Sequence, residues 1–416
     1  MTRPELALPD GSVLLHIGPH KTGTTTVQGA MHASRESLKA YGVHYAGEKA
    51  HSMAAAMAAS TGHHLPTTTQ GTGDDKWRAL VEEVRTENAR ISVLSSEFYS
   101  ETPPDRIPTL LADLGGDNVH VVITLRPLVR ILGSQWQQYM QNRRSLAYDD
   151  DLGYAGWLDQ ILNHADTTDQ TPSFWHRHRH DELVQRWVDA IGADRITVVA
   201  VDDRDHSGIV NAFAQLLGVE PGTITSPQLG ANRSLTWPEI ELLVAFNREF
   251  LSRDWSATDY TRFVRFGSVR FLQERRPEPG ELKLTTPQWA VDRAAELGAS
   301  MVERIRTTGV GVIGDLDILG DPALAKDVGD LPADVAVPAD VVARLAAGLV
   351  KIAAETPARK APADRRIGDL EAGLRHRLVA ERERRRIAEV PTVEDASVGD
   401  LVRHLGARLA RRIRVR

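Results

Sequence analysis

Four short apolar runs alternate with segments of helical period, and this alternation limits the chain to few folds. SVLLHI at 12–17, ISVLSS at 91–96, VHVVITL at 119–125 and ITVVAV at 196–201 are strand-length and nearly all apolar, as strands covered on both faces must be. After position 24, Val27, Ala30, Met31, Ser34, Leu38 and Tyr41 recur at spacings of three and four, and Gly42 suits the end of that helix. WRALVEEVRTEN precedes the second run, DRIPTLLADLG the third and ELVQRWVDAIG the fourth, each with a helical stripe. The pattern predicts an α/β fold, with a mostly parallel central sheet flanked by helices. Such sheets bind ligands beyond the carboxyl ends of their strands, so the residues to watch are 18–25, 95–98 and 126 onward.

Beyond Pro238 the pattern turns helical, in EIELLVAFNREFL and WAVDRAAELGASMVERI, and no second glycine loop follows a strand. These helices are expected to complete one domain over 12–318, preceded by a tail at 1–11. Residues 319–362, rich in Asp, Ala and Pro, read as a linker or cap, and 363–416 as an Arg-rich helical C-terminal extension. A solvated face is the favoured explanation for those arginines, and a peripheral contact with an anionic membrane surface or a partner is the alternative. The 416 residues include no cysteine, which excludes disulfides, thiolate metal sites and a cysteine nucleophile. A net charge of −6 gives no global reason to expect nucleic acid. No run reaches membrane-spanning length and MTRPELALPDG lacks a signal-peptide core, so a soluble cytoplasmic protein with no transmembrane segment is expected.

The segment LLHIGPHKTGTTTVQ at 14–28 joins the first strand to the first helix. A nucleoside triphosphate loop of the form GxxxxGK[ST] carries its lysine directly after the second glycine. Here Gly18 and Gly23 have that separation, but Thr24 takes the lysine's place and Lys21 lies two residues before Gly23. Backbone N–H groups, the helix N-terminus and the hydroxyls of Thr22, Thr24 and Thr25 still suit an anion, while the positive charge moves.

Lys21, Thr22, Gly23, Thr24 and Thr25 resemble, residue by residue, the 5′-phosphosulfate loop of sulfotransferases that use 3′-phosphoadenosine 5′-phosphosulfate. VVITLRPLVRILGSQW is similar to the same family's second motif, with Arg126 at a strand end and Ser134 eight positions later. The resemblance implies that this pair binds the nucleotide's 3′-phosphate; Arg130, one helical turn from each, can join them. A weaker likeness at GANRSLTWPEIELL carries Asn232 and Ser234 over as nucleotide contacts, although helix capping by Ser234 or Thr236 explains them equally well.

The resemblance thus implies a bacterial-type sulfotransferase with a P-loop-like fold, moving a sulfuryl group from that donor to an acceptor hydroxyl, with an amine as second choice. Lys21 would stabilise the leaving group and Glu97, just past the second run, would be the base, with His20 as its rival. No clustered carboxylates of Walker B type follow the strands, so no metal is expected. His16 reads as a core histidine, and HRHRH at 176–180 as a basic loop near an anionic acceptor rather than a metal site. Trp136, Tyr139 and Trp157 are candidates for an acceptor pocket or for the core, and a carbohydrate, lipid or small metabolite would each supply the hydroxyl. Two other readings remain open, a magnesium-dependent nucleotide kinase and a catalytically silent scaffold that binds through its basic helices.

Overall fold

The computed structural model describes residues 6–62, 71–143, 148–149, 151–225, 233–332 and 334–355. Among these described residues six strands, β1 (Ser12–His16), β2 (Val43–Tyr45), β3 (Ile91–Ser95), β4 (Val119–Leu125), β5 (Ile196–Ala200) and β6 (Gly311–Ile313), form one sheet in the order β2-β3-β1-β4-β5-β6. Every pairing is parallel, with Leu14 opposite Val93 on one side and His120 on the other. The four expected runs supply the central strands. The edges β2 and β6, three residues each, are too short to show a period in the sequence.

Alternate side chains leave opposite faces of the sheet. Leu14, Val93, Val122 and Val199 pack under the helices Thr24–Ala33 and Gly208–Leu217, against Val27, Met31, Phe213 and Leu217. Val13, Leu15, Val121, Ile123 and Val198 face Trp77, Leu110, Trp187 and Ile305, from helices that cover the other side. The first helix stops at Ala33 rather than running to Tyr41, because Ser34 leaves helical geometry and its hydroxyl accepts the Thr225 N–H at 2.9 Å. One helical start follows directly from sequence: Thr72 accepts from the Asp75 N–H at 3.2 Å while Asp75 accepts from the Thr72 N–H at 2.8 Å, opening Gly73–Thr86.

A third apolar cluster is built by helices Leu128–Gln141, Gly153–Asn163, Trp237–Ser252, Gln288–Thr307 and Ala339–Glu355. Trp136, Tyr139 and Trp157 lie in it, fully buried, which makes them core. The last of these helices falls within the stretch expected as linker or cap. It buries Val341, Leu345 and Leu349, and Arg275 Nε donates to Asp340 Oδ2 at 2.5 Å. Arg275 also donates to buried Glu239 at 3.0 Å and to Glu281 at 2.5 Å, which satisfies three carboxylates with one guanidinium. The Arg-rich extension at 363–416 lies outside the described residues. No helix among the described residues is long and apolar enough to cross a membrane.

Candidate active site

Four neighbouring strands, β3, β1, β4 and β5, end on one rim of the sheet, and the residues following them form the site. Beneath it runs a buried polar chain. The Thr22 hydroxyl donates to the Pro19 carbonyl at 2.7 Å, so toward Thr124, 3.0 Å away, it can only accept. Thr124 has then spent its proton, and His16 Nε2 must carry the hydrogen it donates to Thr124 Oγ1 at 3.0 Å. His16 Nδ1 in turn accepts from Ser95 Oγ at 2.8 Å. Burial lowers the His16 pKa to about 3, which keeps the ring neutral, as this chain of donors requires. Gly18 is fixed by the same packing, because a Cβ there would lie 1.8 Å from Thr124 Oγ1.

Above this support the loop reverses twice. Lys21 at φ 69° and Gly23 at φ 89° both adopt the left-handed conformation, at a cost on the order of 1 kcal/mol for the lysine. Among the described residues, the N–H groups of Lys21 through Thr25 donate to no carbonyl, and they stand at the N-terminus of the ten-residue helix Thr24–Ala33. Free N–H groups at left-handed turns and a helix dipole together form an anion cradle. Thr22 and Thr24 turn their hydroxyls into the loop, Thr24 donating to the Gly18 carbonyl at 3.3 Å, whereas Thr25 is exposed. Burial and the neighbouring Arg126 lower the Lys21 pKa to about 8 against the opposing pull of Glu97.

Glu97 opens a 3-10 turn, Glu97–Glu101, directly after β3. Its carboxylate accepts from Gln28 Nε2 at 3.2 Å and lies 3.6 Å from His51 Nε2, which is itself 2.8 Å from Ser96 Oγ. His20 belongs to a separate cluster. Its Nε2 is 2.9 Å from Glu101 Oε1, and Arg177 Nε donates to the same oxygen at 3.0 Å. Burial and Arg177 lower the His20 pKa despite Glu101, so the neutral ring donates through Nε2 and keeps Nδ1 as an acceptor.

The HRHRH segment is not a basic loop. His176 to His178 end the helix Ser173–His178, and His180 opens His180–Ile191. His178 and His180 are buried, because a short helix followed by a one-residue break turns both toward the core. Arg177, directly before His178, braces Glu101.

Arg126 and Arg130 converge, but on a residue that the sequence reading did not include. One oxygen of Asp203, in the segment after β5, accepts from Arg126 Nε at 3.2 Å, Arg126 Nη2 at 2.5 Å and Arg130 Nε at 2.5 Å. Burial works against ionisation of Asp203, but the two guanidiniums hold its carboxyl below the usual carboxylate range. Arg126 Nη1 also donates to the Lys21 carbonyl at 3.2 Å. The Ser134 hydroxyl bonds back to its own helix, donating to the Ile131 carbonyl at 2.9 Å. Ser234 is exposed, Thr236 is the residue that caps Trp237–Ser252, and Asn232 lies outside the described residues. Asp203 had one visible signal, the paired aspartates of VVAVDD just beyond a strand. Among the described residues no group of three or more His, Asp or Glu side chains is placed to hold a metal ion.

No family model matches the chain, and no curated protein matches it. Among solved structures it is similar to a sulfotransferase from Alicyclobacillus acidocaldarius, at 17% identity and a TM-score of 0.35, over 63% of this chain and 100% of that one.

Proposed function

We propose that this protein is a sulfotransferase that moves a sulfuryl group from 3′-phosphoadenosine 5′-phosphosulfate to an acceptor hydroxyl, with an amine as second choice. One observation carries the reading: Arg126 donates to the carbonyl of Lys21, so the two motif residues, far apart in sequence, stand together on the rim. The donor set fits a nucleotide with two separate phosphate groups. Free N–H groups from Lys21 to Thr25 suit the 5′ end, and the guanidiniums of Arg126 and Arg130 suit the 3′-phosphate. The bound nucleotide would bring a sulfuryl group already activated by its phosphate anhydride bond.

The chain's own residues would do the rest. Lys21, with a pKa near 8, is mostly protonated at neutral pH and sets positive charge where the departing phosphate oxygen gains negative charge. Glu97 takes the acceptor's proton, its carboxylate oriented by Gln28 and His51. His20 is the second base, since its Nδ1 remains an acceptor. The His16 chain keeps the loop in place without charge. Cytoplasmic location and a carbohydrate, lipid or small-metabolite acceptor complete the proposal.

Calorimetric titration with adenosine 3′,5′-bisphosphate and with ATP, each with and without magnesium, tests it. Magnesium-independent preference for the bisphosphate is expected. Preference for magnesium-ATP would favour a phosphotransferase instead, and binding of neither would favour a silent scaffold.

A further inference from the structure

We infer that the Asp203 carboxylate occupies, in the free protein, the place taken by the donor's 3′-phosphate, and so acts as an intramolecular competitor for Arg126 and Arg130. The inference rests on the sulfotransferase reading and goes beyond it, by naming a residue that sets how tightly the nucleotide is held and how readily the spent bisphosphate leaves.

Three features support it. First, both arginines are set by the backbone on the rim, and one has a further anchor: Arg126 follows β4 directly and its Nη1 donates to the Lys21 carbonyl, while Arg130 stands in the first turn of the following helix. Second, the pairing is lopsided. A single oxygen, Oδ2, receives both guanidiniums, so one negative charge faces two positive ones, and Lys21 adds a third positive charge beside Arg126. A phosphate presents three oxygens and a second charge to the same forked donors, and matches them better than one carboxylate oxygen does. Third, Asp203 is the member able to leave. It is partly exposed, at 24%, and sits in a loop, whereas Arg130 is 8% exposed and Arg126, at 21%, is tied to the Lys21 carbonyl; the neighbours of Asp203, Asp202 and Arg204, form a self-contained pair at 2.7 Å.

A tethered carboxylate that returns to the arginines lowers the apparent affinity for any ligand needing them and leaves other ligands untouched. It also gives the departing bisphosphate a competitor within the site, relevant wherever product release limits turnover.

The test compares wild type with Asp203→Asn and Asp203→Ala by titration with adenosine 3′,5′-bisphosphate and with adenosine 5′-phosphosulfate, which lacks the 3′-phosphate. Removing the charge is expected to tighten bisphosphate binding about tenfold and to change binding of the second nucleotide less than about twofold. Unchanged or weaker bisphosphate binding in both folded variants would make Asp203 a mere support for the arginines and overturn the inference, and equal tightening for both nucleotides overturns it too. If neither variant folds, a crystal structure of the wild type with the bisphosphate decides: Asp203 withdrawn from the arginines supports the inference, and Asp203 still bridging them overturns it. Wild type that fails to bind the bisphosphate overturns the sulfotransferase reading and this inference together. Binding without gain in the variants overturns the inference alone.

Discussion

Acidification should loosen this protein well before its carboxylates titrate. His16, His178 and His180 are all at most 1% exposed, and burial lowers their pKa values, to about 3 for His16, to about 4 for His180 and well below the usual value for His178. All three are therefore neutral in the fold at mildly acidic pH, while the unfolded chain protonates each near pH 6.5. The unfolded state binds more protons, so this stability is present above about pH 6.5 and is lost as pH falls below it. Between about pH 7.5 and about pH 5.5 each histidine removes about 1.4 kcal/mol, or about 4 kcal/mol for the three. That is a large share of the roughly 5–15 kcal/mol typical of a folded domain. His20 and His120 shift in the same direction. Urea midpoints followed by tryptophan fluorescence across this range would show the loss, and unfolding near pH 5.5 should take up about three protons. A loss below about 1 kcal/mol with no proton uptake would refute the neutral assignments, and with them the direction of the hydrogen bonds beneath the loop.

Three further perturbations probe separate parts of the molecule. Gly18→Ala should destabilise the fold by about 1–3 kcal/mol and weaken bisphosphate binding, and adding Thr124→Ala should restore part of both; no restoration would mean that the clash is not the cause. Glu97→Gln should lower turnover about a hundredfold while bisphosphate affinity holds, whereas full activity in Glu97→Gln with that loss in His20→Ala would move the base to His20. Arg275→Met strands Glu281 and part of Glu239 in the interior and should cost about 3–5 kcal/mol in urea unfolding; an unmoved midpoint would show that the network adds no net stability.

The parts of the fold written as local periodicity were legible. SVLLHI, ISVLSS, VHVVITL and ITVVAV carry enough consecutive apolar residues to read as buried strands, and all four became the sheet's centre. The edges VHY and GVI carry too few. The strand-loop-helix turn at 14–28 was equally readable, since a strand, two glycines and a helix lie within one short segment. What spacing could not reveal was pairing across strands. Asp203 meets Arg126 and Arg130 because β5 lies beside β4, a fact of sheet order that no interval in the sequence expresses. Ser134 illustrates the converse, because its spacing from Arg126 is regular while a free hydroxyl on a helix readily bonds back to the preceding turn. The histidines of HRHRH misled for a related reason: polar composition suggested solvent, but the helix break after His178 buries two of them.

The sheet order also has a consequence for how the chain is made. Of the sheet's six strands β1 leaves the ribosome before the other five, yet it ends up inside the sheet, with Ser12 paired to Ile91 and Val13 to Val119. At typical rates of synthesis its first central neighbour follows roughly 4–16 s later. During that interval a strand destined for complete burial has no partner, and the glycine loop attached to it has no floor, because Ser95 and Thr124 are not yet made. The loop can therefore take its shape only once the third and fourth strands have arrived, whatever its local propensity.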